Sequence, residues 1–145
     1  MPTRVKVLVI AAVVLLIVAG SLLIAHTFLL SPYTMTQGRQ IGANVSVSGN
    51  VPRSIEAATT DTPGAPFTTV KPLGPVIQIT PAGKLPSTIT LRFKLSRQVQ
   101  GDEAVLAATS ETTHGPWTLV PSSTSKDGWY VIVQTDHLSF WQAWL

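Results

Sequence analysis

The sequence predicts an all-β chain, an antiparallel immunoglobulin-like β-sandwich preceded by one N-terminal transmembrane helix. Three observations predict it. From Val7 to Ala25 every residue except Gly20 and Ser21 is apolar. Beyond Leu30 no stretch places its apolar residues at helical spacing, whereas several short runs alternate apolar with polar residues. These runs recur at intervals of about 8 to 14 residues, between Gly, Pro and Asp-Gly turn signals, which is the rhythm of a sandwich. A chain of 145 residues and 15.5 kDa accommodates one such domain and excludes a large enzyme.

The apolar run is long enough to cross a bilayer. As a helix, Val7 to Ala25 reaches about 28 Å, and continuation through Leu30 reaches about 36 Å, against a hydrocarbon core of about 30 Å. Arg4 and Lys6 precede the run and the next basic residue is Arg39. The positive-inside asymmetry therefore puts residues 1–6 in the cytoplasm, residues 7–30 in the lipid bilayer and the rest outside the cytoplasm. Tyr33, just past Ser31-Pro32, suits the outer interface, and His26 at the outer end of the helix reaches water. A cleaved signal peptide is the alternative, and it leaves a secreted domain. Its apolar core runs roughly 7 to 15 residues, and the small-residue string Ala19-Gly20-Ser21 lies inside the apolar stretch.

Composition removes several function classes. The formal charge is +3 and the pI about 9.6. Past the apolar run, however, eight basic residues face seven acidic ones, with no Lys/Arg cluster to neutralise a row of phosphates, so nucleic acid is not an expected partner. The absence of cysteine excludes a disulfide framework, a thiolate zinc site and a cysteine nucleophile. No cofactor is implied.

The exported part reads in two stretches. Residues 31–70 form a stalk rich in Ser, Thr, Pro and Gly, with one strand over 41–48. There Ile41, Ala43, Val45 and Val47 alternate with Gly42, Asn44, Ser46 and Ser48. Asn44-Val45-Ser46 has the pattern of an N-glycosylation acceptor. Thr59 to Thr69 reads as loop. Residues 71–145 form the sandwich domain. Val76–Thr80 is a short strand between prolines, and Ala82-Gly83 a turn. Thr88–Leu95 alternates cleanly, with Ile89, Leu91, Phe93 and Leu95 inward. Ala104–Thr109 and Trp117–Val120 are further strands. Asp127-Gly128 predicts a tight primed turn into the last strand, Trp129–Thr135. The large apolar residues Phe140, Trp141, Trp144 and Leu145 at the end have three open uses: completing the sandwich, continuing into a longer chain, or meeting an extracytoplasmic protein or envelope partner.

Candidate chemistry is sparse. Only His114 and His137 supply imidazoles in the exported part. Glu111-x-x-His114 has the spacing of a metal-binding pair on a helix, but Pro116 and the neighbouring threonines make this segment a loop, so no metal is expected. Asp102-Glu103 reads as a solvated turn. The string Thr135-Asp136-His137-Leu138-Ser139-Phe140-Trp141 remains.

Four strings carry a resemblance: Pro75 to Leu85 (PVIQITPAGKL), Ile89 to Phe93 (ITLRF), Gly115 to Leu119 (GPWTL) and Asp136 to Phe140 (DHLSF). The stretch from Pro75 to Trp141 resembles the β-sandwich domain shared by zonula occludens, netrin-receptor and ankyrin-type proteins, which also occurs in bacterial surface proteins. The resemblance implies an exported domain with an interaction or structural role. In some members of that fold, and in the autoproteolysis domain of adhesion receptors, a His-hydrophobic-Ser/Thr tripeptide cuts its own backbone. Carried to this chain, that implies His137 taking the proton of Ser139, whose hydroxyl attacks the Leu138 carbonyl, with the scissile bond after Leu138. The expected function is a non-enzymatic, membrane-anchored sandwich; autoproteolysis between Leu138 and Ser139 is the alternative.

Overall fold

The structure is a computed structural model describing residues 3–61 and 69–145; it separates into two compact units, Met1–Pro32 and Tyr33–Leu145. In the first unit, α1 (Thr3–Leu30) is a helix of 28 residues. Its side chains are described from Val9 to Leu23, and every large apolar one among them is exposed. Ser21 satisfies its hydroxyl within the helix by donating to the Ile17 carbonyl at 2.8 Å. Among the described residues no helix is long and apolar enough to cross a membrane. The described side chains cover about 22 Å of helix axis.

The second unit is all antiparallel β. Its strands are β1 (Tyr33–Gly42), β2 (Val45–Pro52), β3 (Glu56–Thr60), β4 (Val76–Lys94), β5 (Leu106–Ser110), β6 (Thr118–Val120), β7 (Ser122–Thr124) and β8 (Tyr130–Trp144). They join in the order β1-β2-β4-β8-β5-β6, with β3 added beside β4 and β7 beside β8. Two long strands, β4 and β8, run through both ends of the sheet. Ile89–Lys94 pairs with Tyr130–Thr135, and Ile77 and Gln78 pair with Trp141 and Phe140.

Between these ends the ladder is bulged twice: residues 85–88 oppose Asp136 alone, and residues 79–82 oppose Ser139 alone. Each bulge changes which side of β8 faces inward. Val131 and Val133 are buried, then Leu138, then Trp141 and Ala143. Bulges of this kind bend a strand and let it pass from one packed layer to the other. The bend is large. Phe93 pairs with Val131, ten residues before Trp141, a separation of about 33 Å along an extended strand. Yet the Phe93 and Trp141 rings stack at 5.9 Å. The sheet therefore folds over on itself, and a main apolar core fills the interior, drawing Val45, Val47 and Leu91 together with Ile77, Ile79 and Leu138, while Ala108 and Trp144 form a smaller cluster of their own. The Ser96 amide donates to the Leu73 carbonyl at 2.8 Å, which ties the chain just after β4 back to the segment just before it.

Several expectations are corrected. Residues 31–70 are not a stalk with one strand: β1, β2 and β3 are built into the sheet, because Ile41, Val45, Val47, Val51 and Ile55 are apolar enough to belong to the core. The alternation over 41–48 spans a hairpin, turning at Ala43-Asn44, where β1 ends and β2 begins. Tyr33 opens β1 and packs against the core. The loop expected over Thr59–Thr69 yields Thr59 and Thr60 to β3, and its residues 62–68 lie outside the described residues. Val76–Thr80 and Thr88–Leu95 are not separate strands joined at Ala82-Gly83 but the two ends of β4.

The Asp127-Gly128 hairpin exists in a different form. A two-residue primed turn needs positive φ at the Asp or at both positions, and only Gly128 has it, at 71°. Instead the Ser125 amide donates to the Tyr130 carbonyl at 2.9 Å and the Gly128 amide to the Ser125 carbonyl at 2.9 Å, closing a longer loop. At the C-terminal end Trp141 and Trp144 are buried, and Leu145 exchanges backbone hydrogen bonds of 2.9 Å with Lys71. These apolar residues pack into the domain.

Candidate functional site

The His-Leu-Ser string lies inside β8, not at its end, and the strand continues to Trp144. Its local shape comes from Thr135. The Thr135 hydroxyl accepts from the His137 amide at 3.0 Å and donates to the His137 carbonyl at 3.2 Å, pinching the strand around Asp136 at the first bulge. Asp136 itself is exposed and lies 3.9 Å from Lys84 across the strand pair, a contact too open to water to order anything. Leu138 points into the core with no exposed surface, opposite Gly83.

His137 and Ser139 both meet partners from the neighbouring strand. The Glu111 carboxylate, just past β5, lies 2.6 Å from His137 Nε2 at an ion-pair distance, though not in hydrogen-bonding alignment. Ser139 is 2% exposed, and its Oγ is 2.7 Å from Thr109 Oγ1. Thr109 Oγ1 also reaches the Phe140 carbonyl at 3.0 Å. A threonine hydroxyl has one proton, and a carbonyl can only accept, so Thr109 donates to Phe140 and Ser139 donates to Thr109. The serine proton is thus committed away from the imidazole. Among the described residues no hydrogen bond joins His137 to Ser139, and no non-glycine residue has positive φ. Residues 137–139 therefore carry none of the left-handed backbone strain that could weaken the Leu138–Ser139 peptide.

Thr109 on β5 and Glu111 just past it, beside Ser139 and His137 on β8, form a short polar cluster at the margin of the core. Sequence reasoning found half of it. Thr109-x-Glu111 has the same alternate spacing as His137-x-Ser139, but that signal acquires meaning only once the register Thr109↔Trp141 is known.

The other sequence candidates are dispersed. His114 accepts from or donates to the Thr113 hydroxyl at 2.8 Å in an exposed loop, while Glu111 turns to His137 instead. Among the described residues no group of three or more His, Cys, Asp or Glu could hold a metal ion. Glu103 is not idle in its turn: Arg97 donates to both its oxygens at 2.7 and 2.9 Å and the Gln100 amide donates at 2.8 Å. Arg97 above all, with the Gln100 amide, lowers the Glu103 carboxyl to about 2. The Ser125 hydroxyl and the Trp129 amide likewise hold the Asp127 carboxyl below its ordinary range. No family model and no curated protein matches the chain.

Proposed function

We propose that this chain is a single-pass membrane protein whose N-terminus is cytoplasmic and whose immunoglobulin-like β-sandwich is displayed outside the cytoplasm, in the envelope of a Gram-positive type bacterium, where it acts by binding. The observation that carries the reading is the apolar run from Val7 to Ala25, interrupted only by Gly20 and Ser21, with Arg4 and Lys6 ahead of it. The exposed apolar surface of α1 and the internally satisfied Ser21 hydroxyl support it, since lipid accepts both. The similarity of Pro75 to Trp141 to exported sandwich domains adds the interaction role.

A second reading is autoproteolysis, favoured by the carboxylate of Glu111 beside His137. In it the Ser139 Oγ bonds to the Leu138 carbonyl carbon as its proton passes to His137, the Leu138–Ser139 C–N bond breaks as His137 passes that proton to the Ser139 nitrogen, leaving an ester, and water hydrolyses that ester to the Leu138 carboxylate and the Ser139 hydroxyl. The hydrogen bond from Ser139 to Thr109 weighs against it. Membranes from cells expressing the full chain are washed with alkaline carbonate, and the protein is then weighed intact beside His137→Ala and Ser139→Ala variants. A full-mass chain retained in the pellet is expected. Release into the wash at the mass of a shortened chain would replace the anchor with a cleaved signal peptide. Loss of Ser139 to Leu145 from the native chain alone would establish self-cleavage.

A further inference from the structure

The outward face of the sheet at the β2-β4-β8-β7 end carries a second set of groups. Across it Ser46, Arg92, Ile132 and Ser123 stand in one cross-strand row, and Lys94 opposite Tyr130 in another. Two open troughs flank β8 here. One, of about 430 Å³, is lined by Pro121, Ser122, Ser123, Ile132 and Gln134. The other, of about 240 Å³, is lined by Lys94, Asp127, Trp129 and Tyr130. Ile132 and Tyr130 are alternate residues on one side of β8, so the troughs adjoin at a spacing of about 7 Å.

The chemistry of this face is uneven in a useful way. The Arg92 guanidinium sits 3.9 Å over the Tyr130 ring, on an exposed side chain. Among the described residues neither Arg92 nor Lys94 has a carboxylate within ion-pair distance. Asp127, the acid lining the second trough, keeps its negative charge: Ser125 and the Trp129 amide donate to it and the Arg92 charge attracts it from beyond ion-pair distance, so among the described residues Lys94 is the cation of this trough with no acid drawing on it. Trp129 keeps 38% of its surface exposed beside these cations. Hydroxyl and amide groups from Ser123 and Gln134 continue the surface. A shallow, open strip of this kind does not enclose a small molecule, and two cations are too few for a nucleic-acid backbone. A sugar ring that packs a C–H face on an indole, carries hydroxyls and bears a carboxylate matches all of it.

We propose that this face binds an acidic polysaccharide, a uronate-bearing ring resting on Trp129 with its carboxylate on Arg92 and Lys94 and the chain running along β8 towards Ser123 and Gln134. The inference deepens the reading of the sandwich as an extracytoplasmic binding module and rests on it. The full chain in detergent micelles is titrated calorimetrically with hexagalacturonate, maltohexaose and hexaglutamate. Hexagalacturonate is expected to bind about tenfold more tightly than either control, because only it combines rings with carboxylates. Arg92→Gln and Trp129→Ala are each expected to weaken it about fivefold or more, and Lys126→Gln on the same loop to leave it unchanged. Lys94→Gln serves as a second charge variant if Arg92→Gln unfolds. Absence of hexagalacturonate binding at millimolar concentration, equal binding of hexaglutamate or maltohexaose, or indifference to the Trp129 and charge variants overturns the proposal. A chain that survives the carbonate wash yet ignores hexagalacturonate sinks this inference alone, whereas a chain released from membranes sinks the anchor.

Discussion

Trp141 gives the sharpest test of how the sheet closes. Its side chain is 1% exposed and stacks on Phe93 from the other end of the folded sheet. Burying an aromatic side chain removes about 150–250 Å² from water, worth about 4–6 kcal/mol at 25 cal/mol per Å². Against this stands the indole Nε1–H, buried with no acceptor among the described residues. An unmet buried donor costs about 1–3 kcal/mol. Trp141→Ala loses the first and recovers the second, for a net destabilisation of about 3 kcal/mol. Trp141→Phe keeps a ring against Phe93, gives up the burial of the pyrrole portion, and removes the unmet donor. Those changes nearly cancel, and the variant should stay within about 1 kcal/mol of the native chain. Urea unfolding of the full chain in micelles, followed by far-UV circular dichroism, measures both. If Trp141→Phe falls as far as Trp141→Ala, the N–H is engaged and the balance drawn here is wrong. If Trp141→Ala costs under about 1 kcal/mol, Trp141 does not hold the two ends together.

Other positions give independent tests. Gly128→Ala should destabilise by about 1–3 kcal/mol, since a Cβ at its φ of 71° would overlap the Val99 carbonyl oxygen; an unchanged unfolding midpoint would show that the loop relaxes freely. Thr109→Val leaves both the Ser139 hydroxyl and the Phe140 carbonyl without their partner, whereas Ser139→Ala leaves Thr109 still bonded to Phe140. The valine variant should therefore cost about 2 kcal/mol and the alanine variant about 1, with the double variant below their sum. The reverse order would mean that Ser139, not Thr109, anchors the pair. Glu103 is held at about 2 against an ordinary 4.5, so the folded state favours its ionised form. Its contribution to stability is present above pH 4.5 and fades as pH falls towards 2. Carboxyl-carbon NMR titration of Arg97→Gln should move the Glu103 midpoint back upward, and an unmoved midpoint would assign the shift to the Gln100 amide instead.

The β class was legible because exposed antiparallel strands must alternate. Thr88 to Leu95 shows that alternation and forms the regular end of β4, with Ile89, Leu91 and Phe93 buried as their spacing requires. What was illegible is how strands continue. Prolines at 75, 81 and 86 and Gly83 look like strand ends, yet β4 passes through Pro81 and Pro86 by bulging, which leaves residues opposite them without partners and costs no ladder bonds at those points. The first hairpin was hidden for the opposite reason. Gly42 and Asn44 are turn formers, but they also fill the polar side of the alternation, with Ala43 on the apolar side, so the turn between Gly42 and Val45 was masked. Its stabilisation is tertiary: Gly42 passes so close to Ala57 on β3 that a Cβ there would overlap the Ala57 carbonyl oxygen.

The same distinction between local and tertiary information governs the His137-Leu138-Ser139 string. Two residues at alternate strand positions share a face, which is all that the sequence conveys, and a base beside a hydroxyl reads equally well as catalysis or as cross-strand pairing. The partners weigh against catalysis. A serine poised to attack the preceding carbonyl needs a proton acceptor in line and a peptide bent out of the ladder. Here the acceptor within 2.7 Å of Ser139 is Thr109, whose own proton is spent on Phe140. The peptide in question runs from the core-buried Leu138 into a strand that goes on to pair with β5 through Trp144. Cutting it would leave the strand bearing Trp141 and Trp144 held by packing and ladder hydrogen bonds alone, so the stability attached to Trp141 sets whether a cut strand stays in place, and intact mass alone reports the state of the Leu138–Ser139 bond. A chain that keeps its full mass and whose Trp141→Ala variant loses about 3 kcal/mol would hold its last strand as structure, and its hydroxyl pair as part of the ladder.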